Sequence, residues 1–125
     1  MAAEILIVED DPFLADLYQG NLESSGFGVS QAHDGAEAIE LIKKERFDLI
    51  LLDLLLPKIS GFRVLENLRN KRIGKRNCNC YVMIMSNLSQ EEEVKKGLDL
   101  GANEYLVKAN YTLQEIIAKI RNQLT

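Results

Sequence analysis

The chain has 125 residues, of which 46% are hydrophobic and 27% are charged, and a formal net charge of -4. This length fits a single domain with a core of its own, which we expect to span residues 1–125. The acidic balance argues against a general nucleic-acid binder, which is usually basic, so we expect no direct contact with nucleic acid. No apolar run has membrane-spanning length and the start lacks a signal-peptide pattern, so we expect a cytoplasmic protein that binds no membrane.

Apolar runs alternate with segments of helical period from one end of the chain to the other. The strand candidates are residues 5–8, 27–32, 49–52, 81–85 and 104–107. The first, third and fourth runs are continuously apolar, which is typical of central parallel strands covered on both faces. The second run is more polar, which favours an edge position.

Five segments between and after these strands have helix start signals. Asp11 precedes Pro12, and proline suits the first position of a helix. Ser60 can cap another helix. Three further pairs have the spacing of a capping box or a close variant of it: Asp34 with Glu37, Ser89 with Glu92, and Thr112 with Glu115. The last helix has the clearest apolar stripe, formed by Leu113, Ile116, Ile117, Ile120 and Leu124.

Five successive strand–helix units predict an α/β fold in which helices cover both sides of a doubly wound, five-stranded parallel sheet. Right-handed crossovers are expected, and the favoured strand order is 2-1-3-4-5. In such a sheet the functional crevice opens at the carboxyl ends of the strands. The residues that follow the strands are therefore the candidates for function.

The one irregular stretch, residues 70–80, contains four basic residues and is predicted to be a long exposed loop; the four are Lys71, Arg72, Lys75 and Arg76. Its two cysteines, Cys78 and Cys80, cannot by themselves supply the four ligands of a structural zinc site. A disulfide between residues this close would be strained, so both are expected to be reduced thiols.

Charged and hydroxyl residues follow four of the predicted strands: Glu9, Asp10 and Asp11 after the first, Asp53 after the third, Ser86 after the fourth and Lys108 after the fifth. Grouped carboxylates repel one another by about 4 kcal/mol per pair at ~4 Å and an effective dielectric constant of 20. A divalent cation would remove this cost. Hard oxygen ligands with room for water and a phosphate suit Mg²⁺.

Asp53 is the natural nucleophile of this group, because a carboxylate can form an acyl phosphate. Phosphoryl transfer needs mainly positioning and charge neutralisation, which Lys108 and Mg²⁺ can supply, while Ser86 can hydrogen-bond a phosphoryl oxygen. Asp11 is expected to cap the first helix. If the first strand ends one residue later than predicted, Asp10 and Asp11 become the metal-binding pair instead of Glu9 and Asp10.

Five stretches in order resemble the receiver domain of two-component response regulators. They are ILIVEDD at 5–11, DLILLDLLLP at 48–57, Gly61, MIMS at 83–86 and YLVK at 105–108. The resemblance covers essentially the whole chain and implies a flavodoxin-like (βα)5 fold. It also implies a phosphorelay function, in which Asp53 accepts a phosphoryl group from a sensor histidine kinase or a histidine phosphotransfer protein.

The resemblance assigns a role to each matching position. It implies that Mg²⁺ is bound by Glu9, Asp10, Asp53 and the backbone carbonyl of Leu55. It implies that Ser86 and Lys108 bind the phosphoryl group, and that Ser86 and Tyr105 are the switch residues. Phosphorylation would then change the surface formed by helix 4, strand 5 and helix 5, which signals to a downstream effector protein or an attached output domain.

Two positions depart from the family pattern. Ala109 follows the lysine, where the family usually has a proline after a cis peptide bond; a cis bond before another residue costs about 2.5–4 kcal/mol. Either that conformation is kept, or the loop takes another path that puts the reach of Lys108 in question. Asn87 follows the switch hydroxyl, where a small residue is usual, and its amide could crowd the phosphoryl group or bind it.

Three other functions compete with a phosphorylated receiver. A phosphatase with an aspartyl-phosphate intermediate would want a second aspartate at position 55, which is leucine; we therefore expect no enzyme activity beyond self-phosphorylation and autodephosphorylation. A flavin mononucleotide carrier would want a phosphate-binding loop after strand 1, where this chain is acidic. The main alternative is a docking module that acts without phosphorylation, in which Ala109 has disabled the switch.

Overall fold

The structure, a computed structural model, describes residues 2–71 and 75–125. Its strands are β1 (Glu4–Val8), β2 (Gly28–Ala32), β3 (Leu49–Leu52), β4 (Tyr81–Ser86) and β5 (Glu104–Val107). Its α-helices are α1 (Pro12–Ser24), α2 (Gly35–Lys44), α3 (Gly61–Arg69), α4 (Glu91–Asp99) and α5 (Leu113–Leu124), and a 3₁₀ turn covers Lys108–Asn110.

All strand pairs are parallel, and the strand order is β2-β1-β3-β4-β5. This confirms the predicted doubly wound α/β fold and the edge position of β2. The predicted strands 49–52 and 104–107 have the observed bounds, while β1 begins one residue earlier and β4 ends one residue later, at Ser86. Ser86 is therefore the last residue of a strand rather than the first residue after it.

The two faces of the sheet bury separate apolar cores. One core contains Leu6, Ile50 and Ile84 together with residues of α2 and α3. The other contains Ile7, Leu51 and residues of α1 and α5, including the predicted stripe residues Ile116, Ile117 and Ile120. Because neighbouring strand residues point to opposite faces, a continuously apolar strand serves both cores at once. This explains why the central strands read as unbroken apolar runs.

Side-chain caps start four of the helices as predicted. Asp11, Asp34, Ser60 and Thr112 each accept a hydrogen bond from a backbone N–H of the following helix. The predicted cap Ser89 is wrong, because α4 begins at Glu91 with Gln90 at the capping position, and the Gln90 N–H donates to the Glu93 carboxylate. The run 91–93 places a glutamate three residues after both Ser89 and Gln90, so spacing alone could not choose between the two frames.

The stretch 70–80 is only partly an exposed loop. Lys75 and Arg76 are exposed as predicted, and Arg72 lies outside the described residues. Asn77 is 1% exposed, which the sequence did not predict. Its Oδ1 accepts from the Phe47 N–H at 2.7 Å, and its Nδ2 donates to the carbonyls of Ile42 and Glu45 at 2.8 and 2.7 Å. One side chain thus ties this loop to the end of α2 and the start of the chain leading into β3.

Both cysteines are free thiols, as predicted. Burial raises the pKa of Cys80 to about 12, so its thiol stays protonated at neutral pH. Within residues 2–71 and 75–125, no helix has both the length and the apolar character that crossing a membrane requires.

Candidate functional site

The candidate site lies where β1, β3, β4 and β5 end side by side. Backbone hydrogen bonds continue just past the strand ends, because the Glu9 N–H donates to the Ala32 carbonyl and the Asp53 N–H donates to the Val8 carbonyl, both at 3.0 Å. These bonds hold the backbone of both acidic residues in line with the sheet. Their side chains therefore start from rigid positions at the edge of the core.

Three carboxylates come together at this edge. One oxygen each from Glu9, Asp10 and Asp53 lies within 4.8 Å of the others. Glu9 and Asp53 are only 2% and 4% exposed, whereas Asp10 is exposed to solvent. Two buried carboxylates and one exposed carboxylate thus form a cup that opens to solvent on the side of Asp10.

Lys108 supplies the one ammonium group in contact with this cluster among the described residues. Its Nζ donates to Glu9 Oε1 at 2.8 Å and to Asp53 Oδ2 at 2.9 Å. The peptide bond between Lys108 and Ala109 is trans, and the chain continues into the 3₁₀ turn. The loop therefore takes another path than the family's cis-proline path, and the lysine nevertheless reaches the Asp53 carboxylate.

Burial and charge act in opposite directions at this site. Burial raises the pKa of Glu9, and the nearby Asp53 charge raises it further, although hydrogen bonds from Lys108 and the Asp11 N–H oppose the rise. Burial acts to lower the pKa of Lys108, but its hydrogen bonds to Glu9 and Asp53 outweigh burial and leave the pKa raised. Lys108 is consequently charged at neutral pH and partly neutralises the two buried carboxylates.

The donor set fits a divalent cation. Three carboxylates face one ammonium group, so negative charge remains in excess, and all the available donors are hard oxygens. The Asp11 carboxylate instead accepts from the N–H groups of Phe13 and Leu14 at the start of α1. The structure therefore groups Glu9, rather than Asp11, with Asp10 and Asp53.

Leu55 touches the site through its backbone. Its N–H donates to Asp53 Oδ1 at 3.2 Å, while its side chain is exposed. The role of its carbonyl as a metal ligand remains a prediction. Asn87 is exposed, on the loop that follows β4.

Ser86 and Tyr105 meet at one residue, Leu88. Ser86 is fully buried, and its Oγ accepts from the Leu88 N–H at 3.2 Å. The half-buried Tyr105 donates its hydroxyl to the Leu88 carbonyl at 2.6 Å. Burial raises the pKa of Tyr105, so the hydroxyl keeps its proton and remains a donor at neutral pH. The two predicted switch side chains are thus joined through the backbone of the β4–α4 loop.

Sequence reasoning missed the backbone role of Leu88 and the place of Gly97 in this site. Leu88 contributes backbone groups, which every residue has, so no sequence signal could have found it. Gly97 lies within α4 against the Tyr105 ring. A glycine inside a helical segment is itself a signal, because it costs stability relative to alanine and calls for a packing reason.

A parallel sheet with acidic residues, a hydroxyl and a lysine converging at its carboxyl ends defines a signalling domain of the receiver type. Residues 5–121 match the family of the response regulator receiver domain. The chain therefore belongs to this family, and it is a receiver domain of the response regulators of two-component systems. This confirms the predicted family, fold and receiver function.

Curated relatives and solved structures agree with this placement. The DNA-binding dual master transcriptional regulator RpaA of Synechocystis is 39% identical over 94% of this chain and 47% of its own length. The alkaline phosphatase synthesis transcriptional regulatory protein PhoP of Bacillus subtilis is 36% identical over 97% of this chain and 48% of its own length. The chain thus spans about half the length of these relatives.

Two solved receiver domains superpose over nearly the whole chain. The CheY-like response regulator receiver domain protein of Methanospirillum hungatei has a TM-score of 0.86 and 27% identity, and the alignment covers 99% of this chain and 94% of that one. The receiver domain of the Francisella response regulator 1452 has a TM-score of 0.83 and 31% identity, with 96% and 94% covered.

Proposed function

We propose that this receiver domain, spanning residues 1–125, accepts a phosphoryl group on Asp53 and thereby switches the surface formed by α4, β5 and α5. The observation that supports this most strongly is the contact of the buried Asp53 carboxylate with Lys108 at 2.9 Å inside a cluster of three carboxylates. A buried nucleophile beside a fixed cation is the arrangement that phosphoryl transfer needs.

Glu9, Asp10, Asp53 and the Leu55 carbonyl would hold Mg²⁺, which supplies neutralisation of the charge on the transferring phosphoryl oxygens. A carboxylate oxygen of Asp53 attacks the phosphorus of a phosphohistidine. The new O–P bond forms as the P–N bond breaks, and the electron pair leaves with the imidazole nitrogen, which then takes up a proton. Lys108 binds a phosphoryl oxygen in place of its contacts with Asp53 and Glu9.

The switch follows from the contacts of Leu88. Ser86 turns its hydroxyl toward a phosphoryl oxygen and releases the Leu88 N–H, which frees the β4–α4 loop to move. Tyr105 holds the other side of the same residue and transmits the movement to β5 and α4. A shift of population from 1:99 to 99:1 requires a preference of about 5.5 kcal/mol for one state.

Acetyl phosphate tests the proposal directly. Incubation with Mg²⁺ and acetyl phosphate is expected to add one phosphoryl group to the wild-type chain, measured by intact mass spectrometry. Asp53→Asn is expected to abolish the gain, because an amide is a far weaker nucleophile than a carboxylate and cannot form the acyl phosphate. Absence of a gain in the folded wild type would support the phosphorylation-independent docking module instead.

We further propose that the phosphodonor is a histidine kinase or a histidine phosphotransfer protein that docks on the start of α1. Phe13 is 82% exposed and Leu17, one turn later, is 53% exposed. Phe13 is the second residue of the helix that follows Glu9, Asp10 and Asp11. Aromatic side chains are frequent in protein interfaces, and this one lies in the first turn of the helix that directly follows the acidic residues of the site.

Phe13→Ala is expected to slow phosphotransfer from a histidine kinase that phosphorylates the wild type by about tenfold or more, because an aromatic anchor contributes about 2 kcal/mol. The rate with acetyl phosphate should be unchanged, since this small donor needs no docking surface. Leu98→Ala removes another exposed apolar side chain, on α4, and serves as the control. Equal slowing with both donors would contradict a docking role.

We propose that the signal passes from this receiver domain to another domain or protein. The relatives of about twice its length are named as transcriptional regulators, which supports an attached output domain or a separate effector as the recipient of the signal. We propose a cytoplasmic location, which is consistent with two free cysteines. We propose no turnover beyond self-phosphorylation and autodephosphorylation, since position 55 offers no second carboxylate to act as an acid or base.

A further inference from the structure

Helix α4 has fewer buried residues than any other α-helix in the described part of the chain. Each of α1, α2, α3 and α5 has at least three buried residues, whereas α4 has one, Gly97. The first turn of α4 is acidic, and its other residues are exposed or half-buried. The position of α4 on the sheet therefore depends to an unusual degree on the contact at Gly97.

Gly97 faces two side chains that leave no room for a methyl group. A Cβ atom at this position would lie 2.8 Å from Ile84 Cδ1 and 3.0 Å from Cδ2 of the Tyr105 ring. Ile84 is fully buried in β4, so its methyl group has little space into which to move. Tyr105 is half-buried and has solvent on one side. An added methyl group would therefore displace the tyrosine ring outward more readily than it would displace the isoleucine.

We propose that Gly97 is a positioning residue for Tyr105: by lacking a side chain, it lets the ring lie inward between α4 and β4, where its hydroxyl reaches the Leu88 carbonyl. The size of residue 97 then sets how often Tyr105 is inward. The contact of Lys96 Nζ with the Phe62 ring, 4.4 Å from its centroid, holds the neighbouring turn of α4 to α3. This contact opposes movement of the whole helix away from Tyr105.

The effect extends to the phosphorylation site if Asp53 is phosphorylated as proposed above. Outward rotation breaks the hydrogen bond from Tyr105 to the Leu88 carbonyl, and the N–H of that same residue is bound to Ser86. In the proposed switch Ser86 leaves the Leu88 N–H for the phosphoryl group while the inward Tyr105 keeps its bond to the Leu88 carbonyl, so the phosphoryl group binds the conformation in which the ring is inward. When a ligand binds only one conformation, its apparent affinity falls in proportion to the fraction of molecules in that conformation. Residue 97 therefore tunes the affinity of the site for a phosphoryl group without touching it.

The test compares Gly97→Ala with Gly20→Ala. Gly20 lies inside α1, and a Cβ there would meet no atom within 4 Å, so the control makes the same helix substitution without a contact. The first measurement is the nuclear Overhauser effect between the Ile84 Cδ1 methyl group and the Tyr105 ring protons in the unphosphorylated protein. The second is the affinity for beryllofluoride with Mg²⁺, which imitates the phosphoryl group on Asp53.

Gly97→Ala is expected to weaken the Overhauser effect and to lower beryllofluoride affinity about tenfold, the size of a typical overpacking penalty. Gly20→Ala should change neither. The double variant Gly97→Ala with Ile84→Val moves one methyl group from the strand to the helix, so it should restore the affinity for beryllofluoride; valine lacks the Cδ1 methyl group, so affinity is the measurement made on this variant. An unchanged Overhauser effect in Gly97→Ala, an equal loss in Gly20→Ala, or no restoration in the double variant would overturn the proposal.

The two measurements separate this proposal from the proposed function. If the wild type fails to bind beryllofluoride, phosphorylation of Asp53 is refuted, while the Overhauser effects alone decide whether Gly97 positions the tyrosine ring. If the wild type binds and the ring moves in Gly97→Ala without a change in affinity, the link to the phosphorylation site is refuted.

Discussion

Lys108→Ala is expected to slow phosphorylation of Asp53 by acetyl phosphate about a hundredfold or more. The Lys108 ammonium contacts Asp53 at 2.9 Å and Glu9 at 2.8 Å, and loss of one preorganised group that stabilises transition-state charge typically costs 10²–10³ in rate. The measurement is the initial rate of mass gain with saturating Mg²⁺. A wild-type rate in the variant would show that the lysine has no part in phosphoryl transfer.

The same substitution should raise the affinity for Mg²⁺. Two unit charges at ~4 Å interact by about 4 kcal/mol at an effective dielectric constant of 20, so removal of the competing ammonium should strengthen binding of the cation about tenfold or more. Isothermal titration calorimetry measures this, and slower phosphorylation with tighter Mg²⁺ binding is a combination that simple misfolding cannot produce. Lys119→Ala, which removes a lysine of α5 that pairs with Glu104 of β5, is the control.

The stability contributed by the Lys108 ion pair should fall at high pH and not at low or neutral pH within the range where the carboxylates are charged. Because the folded-state pKa of Lys108 is raised above its ordinary value of 10.5, the stability that the ion pair contributes is fully present below that value. It is lost only as the pH rises through the raised folded-state pKa. Measurements of Lys108→Ala between pH 7 and 9 therefore compare a charged lysine with none.

Asn77→Ala is expected to lower the free energy of unfolding by about 4 kcal/mol. The substitution leaves the buried Phe47 N–H and Ile42 carbonyl, and the partly buried Glu45 carbonyl, without their partner, and each buried group left unpaired costs about 1–3 kcal/mol. This is a large part of the 5–15 kcal/mol that typically stabilises a domain. Urea denaturation monitored by circular dichroism gives the value.

Asn79→Ala is the matched control, since Asn79 is exposed in the same loop and its substitution should change stability by no more than about 0.5 kcal/mol. Asn77→Asp keeps the acceptor for Phe47 but turns a charged oxygen toward two carbonyl groups, so it should be at least as destabilising as alanine at neutral pH. Equal stabilities of the Asn77→Ala and Asn79→Ala variants would refute the structural role of Asn77.

Much of the site could be predicted from the sequence because its residues lie at the ends of strands, and the strands themselves have a clear sequence pattern. Ile5 to Val8 and Leu49 to Leu52 are apolar at every position, and such runs occur where a parallel strand is covered on both faces. Once the strands are known, sheet geometry brings Glu9, Asp53 and Lys108 to one edge. Local signals were also sufficient for the caps of α1, α2, α3 and α5.

What the sequence could not show depends on contacts between distant residues or on backbone atoms. Asn77 lies 30 residues from Phe47, and nothing in a basic, irregular stretch marks one asparagine as buried. Leu88 acts through its N–H and carbonyl, which are the same in every non-proline residue. The path of the chain after Lys108 was likewise open, because alanine at position 109 permits more than one backbone conformation.

The sequence by itself determined the order of the strands and helices, the edge of the sheet at which polar residues collect and the chemical types gathered there, since these follow from local patterns and from the geometry of parallel sheets. Only the tertiary structure decided that Lys108 bridges Glu9 and Asp53, that Ser86 and Tyr105 both contact Leu88, and that Gly97 lies against the Tyr105 ring. These are contacts between residues of different parts of the chain, and they are set by how the helices and loops pack on the sheet rather than by any local pattern.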